Sequence, residues 1–163
     1  MSIVYWIVIA VVLAAVAAVV AGQLGFLGGT APADLGVRDG KLKPPSKTEN
    51  SVSSQAVLYP DHPQRRYADI APLALRGDGP ATVAKIKAIV EGMDGATVIR
   101  SDPGYLYAQF TTRLMKYVDD VEFWFDPANQ VIQVRSASRV GRSDFGVNRK
   151  RIEAVRAALA ASG

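Results

Sequence analysis

Residues 117–126 read YVDDVEFWFD, followed by Pro127-Ala128-Asn129-Gln130 and then by VIQVRSASRV from Val131 to Val140. Two alternating runs around a short polar turn specify an antiparallel hairpin. Along the first run, Tyr117, Asp119, Val121, Phe123 and Phe125 share one face; Val118, Asp120, Glu122 and Trp124 take the other. Along the second, Ile132, Val134, Ser136 and Ser138 alternate with Val131, Gln133, Arg135, Ala137 and Arg139. Matching the apolar faces fixes the register, because a slip of one residue would turn every side chain over. Phe125 then faces Ile132, Phe123 faces Val134, Val121 faces Ser136, Glu122 faces Arg135 and Asp119 faces Ser138. Asp120 lies diagonal to Arg135 and Arg139, within reach of long side chains.

This register divides the acids. Glu122 and Asp120 have cross-strand arginines, and such pairs contribute about 0.2–1 kcal/mol each when exposed. Asp119 falls on the apolar face, where a carboxylate needs Ser138, backbone N–H groups or an arginine to offset its lost hydration. Its expected role is to fix the loop from Ser138 to Asn148, SRVGRSDFGVN, against the sheet; a metal ligand or a general acid or base is the functional alternative. In that loop Gly141 and Gly146 permit close backbone approach. Arg139, Arg142 and the start of a helix give it the means to hold an anion such as a phosphate or lipid head group. The structural reading is a loop capped by Asp144 or Asn148, either of which suits an N-cap. Asp144-Phe145-Gly146 spells a kinase magnesium motif, but nothing else of a kinase is present.

Outward from the hairpin, Ala96–Ser101 and Tyr105–Thr112 read as two further strands joined at Asp102-Pro103-Gly104. Val83, Ile86, Ile89, Val90 and Met93 recur at helical spacing behind Pro80, a good first helical residue, and Gly95 is a fitting terminator. Val147, Ile152, Val155 and Leu159 give a last helix its apolar stripe. Arg66–Leu75 reads as an edge strand, since Pro72 does not suit a central one. The order is β-α-β-β-β-β-α, a two-layer α+β fold with both helices on one face of an antiparallel sheet, the order of the TATA-binding-protein-like fold. The other face carries Tyr105, Tyr107, Gln109, Trp124, Asp120, Glu122 and Arg135. The segment Asn50–Leu75 is expected to cover it in part; a bare aromatic face would mark a partner site.

Before this domain the composition changes. No charged side chain occurs in the first 33 residues, and Ile3–Ala21 is an unbroken apolar run with Tyr5 and Trp6 near one end. At ~1.5 Å per residue the run just crosses a hydrocarbon core of ~30 Å. No Lys or Arg precedes Arg38, as a cleavable signal peptide would require. Residues 3–22 therefore read as a retained transmembrane anchor, 23–50 as an extended Gly/Pro-rich tether and 51–163 as a single α+β domain. Arg38, Lys41, Lys43 and Lys47 follow the span and vote for a cytoplasmic domain. The net charge of +4 is modest, with acids and bases interspersed, so nucleic acid is not the expected partner, Arg149, Lys150 and Arg151 notwithstanding. The absence of cysteine excludes disulfides, thiolate nucleophiles and Cys-based metal sites, and His62 is the sole histidine. No cofactor is expected.

Four segments, PADLGVRDGKL (32–42), TENSVSSQA (48–56), YVDDVEFWFD (117–126) and VRSASRVGRSDFGVNRKRIEAVR (134–156), resemble the domain-of-unknown-function 1499 family. Family members often read Asn-Cys-Val-Ser-Ser where this chain has Asn50-Ser51-Val52-Ser53-Ser54, so no lipid attachment or thiol role is expected at Ser51. The resemblance implies a small membrane-tethered or exported protein of bacterial type. It brings no activity, cofactor or catalytic residue. It favours an external, periplasmic domain, against the charge rule. The function expected is a membrane-anchored, non-enzymatic binding or scaffolding module with a lipid, anion or protein partner. The alternative is a carboxylate-dependent enzyme or an anion-binding protein built on the Asp119-Asp120 hairpin and the 138–148 loop.

Overall fold

A computed structural model describes residues 2–162; Met1 and Gly163, the last residue of the expected domain, lie outside it. The elements are α1 (Ile3–Gln23), β1 (Ser51–Ser53), a 3-10 turn (Ala56–Leu58), α2 (Arg65–Ala68), β2 (Leu73–Ala74), α3 (Gly79–Glu91), β3 (Ala96–Asp102), β4 (Tyr105–Thr111), β5 (Val118–Asp126), β6 (Val131–Ser138) and α4 (Val147–Ala161). Helix α1 is long and apolar enough to cross a membrane, and its side chains are mostly exposed.

The β5–β6 register is the expected one at every pair, including Glu122 with Arg135 and Asp119 with Ser138. Asp126 sets the turn, its carboxylate accepting the N–H groups of Ala128 and Asn129. The antiparallel sheet runs β1-β6-β5-β4-β3. Two short strands lie end to end along the outer edge of β6, β1 against residues 135–137 and β2 against 131–132.

Helices α3 and α4 pack on one face and bury Val83, Ile86, Val90, Ile152, Val155 and Leu159 against Leu106, Phe110, Val121, Phe123, Ile132 and Val134. Asp78 caps α3 by accepting the Ala81 N–H, and Pro80 stands in its first turn. Burial of Phe123 alone stabilises by roughly 1.5–3 kcal/mol.

Several expectations need correction. Of the edge strand expected over Arg66–Leu75, only Leu73 and Ala74 form a strand, with Asp69 making an isolated parallel bridge to Ser53; Arg65–Ala68 forms a helical turn, and Pro72, lacking an N–H, ends the ladder at β2. The observed order thus carries a short strand, a 3-10 turn and a helical turn more than the expected order. Helix α3 ends at Glu91, with Gly92 as its C-cap, four residues before Gly95. Val147 is half exposed and outside the stripe of α4; Asn148 holds the buried position one residue on, in line with Ile152, Val155 and Leu159.

The outer sheet face is covered, but chiefly by residues 34–46, earlier in the chain than expected. This segment forms no helix or strand, yet Leu42 within it is fully buried. The Leu42 N–H donates to Gln55 Oε1 at 2.8 Å, and the Ser46 N–H to Ser51 Oγ at 2.8 Å. It lies over the sheet as a strap.

Candidate functional site

The polar residues of the hairpin form two networks separated by the thickness of the sheet. On the helix side, Asp119 is 6% exposed and meets Arg151 of α4. Arg151 Nη2 donates to Asp119 Oδ2 at 2.6 Å, and Nη1 donates to Ser136 Oγ at 3.0 Å and Asn148 Oδ1 at 2.8 Å. The same guanidinium lies 4.5 Å from the Phe110 ring centroid, a cation–π contact. Asn148 Nδ2 donates to the Asn50 carbonyl and to Ser138 Oγ, joining β1, β6 and α4. Asp144 accepts N–H groups from Gly146 and Asn148 and the Tyr67 hydroxyl, which clamps the start of α4 to the α2 segment. Burial alone would raise its carboxyl, but the hydrogen bonds from Tyr67 and the two backbone amides outweigh it and hold Asp144 below the usual range. Tyr67, partly buried beside that carboxylate, is pushed up to about 12.

On the opposite face, Asp120 accepts a two-pronged bond from Arg139, Nε to Oδ2 at 2.9 Å and Nη2 to Oδ1 at 2.7 Å. The Tyr107 hydroxyl donates to Asp120 Oδ1 at 2.6 Å. Burial first, then the hydrogen bond to Asp120, raises the Tyr107 hydroxyl, while the Asp120 hydrogen bond holds Arg139 firmly protonated. Glu122 is fully buried, so its cross-strand ion pair with Arg135 is a buried one. Arg135 Nη1 stands 3.7 Å from Glu122 Oε2, beyond hydrogen-bond distance, and neither atom has another partner. Glu122 Oε1 instead accepts the Tyr105 hydroxyl at 2.8 Å and the Gly36 N–H of the strap at 2.7 Å. Burial lowers the Arg135 guanidinium and its acidic neighbours oppose that shift.

The chemistry open to this arrangement is limited. Paired-carboxylate catalysis needs two acids converging on one cleft. Asp119 and Asp120 point to opposite faces, and each is held by its own arginine. Among the described residues no three His, Cys, Asp or Glu side chains are placed to hold a metal ion. Asp119, Ser138, Asp144 and Asn148 thus come together in the inner network, and Asp120, Glu122, Arg135 and Arg139 in the outer one. Arg142 is exposed and belongs to neither. Sequence reasoning left the arginine partner of Asp119 unnamed. Its signal was position: residue 151 flanks the buried line 148-152-155 and points back over β5. Tyr67 and the strap residue Gly36 carried no such signal.

A third feature lies at one end of the domain. The registers Ala96 with Phe110, Thr111 with Val118 and Asp119 with Ser138 bring the start of β3, the β4–β5 turn, the end of β6 and the start of α4 together there. The C-terminal end of α1 docks on that turn. Gln23 Nε2 donates to the carbonyl oxygens of Leu114 at 2.8 Å and Arg113 at 3.3 Å. Gly22 is buried, and a Cβ there would stand 2.6 Å from the Met115 carbonyl oxygen, so the approach requires glycine. Large apolar side chains are left exposed around this junction: Leu24, Phe26, Leu114, Phe145 and Val147.

A family model described as "Protein of unknown function (DUF1499)" matches residues 41–159. No curated protein and no solved structure matches the chain.

Proposed function

Because the chain belongs to the DUF1499 family of proteins of unknown function, whose description carries no activity, we propose from the structure that it is a membrane-anchored, non-enzymatic binding module. Its domain is held with the β4–β5 turn against the bilayer. The observation that carries this reading is the docking of α1: Gln23 bonds to the Arg113 and Leu114 carbonyls, and Gly22 packs on Met115. With α1 as the span, these contacts hold the domain within a few residues of the hydrocarbon edge. The divergence of Asp119 and Asp120 supports the non-enzymatic part of the reading, since neither carboxylate is free to act on a substrate shared with the other.

The family resemblance favours an external, periplasmic domain in a bacterial inner membrane, and a C-terminal reporter fusion active on only one side of the membrane tests that orientation. Docking is tested by cross-linking. The chain has no cysteine, so a Leu24→Cys/Leu114→Cys pair, which keeps Gln23, treated with a short bismaleimide in intact membranes reports one distance without background. Rapid internal cross-linking of 24 to 114, with none for a 24 to 129 pair, is expected. Equal and slow reaction of both pairs would mean that the domain swings freely and would overturn the reading.

A further inference from the structure

The end of the domain that meets α1 carries an open cleft of about 1000 Å³ between the β3–β4 edge and the first turns of α4. Its apolar lining includes Met93, Phe110 and Val147, and its cations are Arg113, Lys116 and Lys150. The cations come from two separate elements, the β4–β5 turn and α4. Arg151 also lines the cleft, but its charge is committed to Asp119. Arg113, Lys116 and Lys150, by contrast, have no hydrogen-bonded or ionic side-chain partner among the described residues, and Asp94 is the one acid lining the cleft. The Asp144 carboxylate already caps the start of α4, so the positive charge open to an anion here is that of the three side chains. Such a cluster repels itself unless an anion answers it.

We propose that this cleft binds the head group of an anionic phospholipid from the bilayer that α1 spans. The inference rests on the docked orientation proposed above and adds the ligand class. A lipid satisfies both kinds of surface at once. Its phosphate meets Arg113, Lys116 and Lys150, while its acyl chains leave past the exposed side chains of Leu114, Phe145 and Val147. Phe145 is 87% exposed directly ahead of α4, a position suited to an interfacial aromatic and wasteful in water. Arg113 and Lys116 flank Leu114, whose carbonyl accepts the bond from Gln23, so the cleft opens beside the end of α1.

The test uses the full chain in nanodiscs with a bimane fluorophore on Leu114→Cys, and lipids brominated near the head-group end of the acyl chain. Bromo-phosphatidylcholine reports whether the turn lies at the bilayer. Bromo-phosphatidylglycerol, at the same mole fraction, reports an excess of anionic lipid. Each cation near an anionic surface is worth on the order of a fivefold local preference. The expected result is quenching by both lipids, several-fold stronger with phosphatidylglycerol, and loss of that excess in Lys116→Glu/Lys150→Glu. Arg38→Glu/Lys41→Glu, an equal change in net charge on the exposed strap, should leave the excess intact. Lys116→Gln/Lys150→Gln should reduce it should the charge reversal fail to fold. Equal quenching by the two lipids, or an excess that falls equally in both charge-reversal variants, would overturn the lipid site while leaving the docked orientation standing. No quenching by either lipid would refute the docked orientation itself, and the site with it.

Discussion

Asp119 and Asp120 are neighbours in the chain, yet they serve different layers of the molecule. Asp119 answers the buried guanidinium of Arg151, and Asp120 that of Arg139. Removing one partner of such a pair leaves an uncompensated buried charge. Asp119→Ala is therefore expected to cost about 3–5 kcal/mol, read as a lower urea midpoint at unchanged slope. Asp119→Ala/Arg151→Met should recover part of that loss, because the orphaned charge is gone. Asp102→Ala, which breaks the exposed pair with Arg100, should cost under about 1 kcal/mol. Tyr67 and Asp144 set the pH limits of the clamp at the start of α4. The Tyr67 hydroxyl rises from 10.0 to about 12 on folding, so the stability it contributes is whole below pH 10 and is lost as pH climbs toward 12. Asp144 is depressed from 3.8, so its contribution is present above that pH and is lost as pH falls through the lower folded value. Tyr67→Phe should remove the alkaline loss and cost roughly 1.5–3 kcal/mol near neutrality, as measured by denaturation at several pH values. At this scale the sequence revealed that Asp119 needed a partner, because alternation placed it among Val121 and Phe123. It did not reveal Tyr67, whose contact depends on a helical turn that the run around Pro72 concealed.

The hairpin was legible because two constraints agreed. Period-two alternation set the faces, and the Pro127–Gln130 turn set the register, so Glu122 with Arg135 and Asp119 with Ser138 followed. The strap over 34–46 was not legible, because it has no periodicity; it is fixed by contacts distant in sequence. The main one is the Gly36 N–H to the buried Glu122 carboxylate, with Gly36 at φ +104. Proline can adopt neither that angle nor that bond. Gly36→Pro is thus expected to loosen the strap without unfolding the sheet, raising trypsin cleavage at Arg38 and Lys41 by about tenfold, the factor that corresponds to ~1.4 kcal/mol. Global unfolding at the wild-type midpoint together with unchanged cleavage would show that the strap is held by other means. Helix α4 teaches a similar lesson. A stripe sought among apolar residues selected Val147, whereas the buried position belongs to Asn148, which holds β1 to β6 through its amide.

At the scale of the whole molecule, the polar networks tie sheet, strap and helices together, and the basic cleft and the docked end of α1 share one end of the domain. Leu24, Phe26, Leu114, Phe145 and Val147 are exposed there; Val37, Val57, Leu58 and Ile99 are exposed elsewhere on the domain. Gly22→Leu should break the close approach to Met115 and free the domain from its anchor while leaving both the span and the fold intact. None of this was visible in the sequence, because no local pattern records which turn a distant helix end will meet. The most direct measurement compares depth at the two ends of the domain, with bimane at Leu114→Cys or at Asn129→Cys in nanodiscs containing shallow brominated lipid. Strong quenching at 114 with none at 129, and loss of the 114 signal in Gly22→Leu, is the predicted result; equal quenching at both positions, or at neither, would contradict a domain docked by its β4–β5 turn.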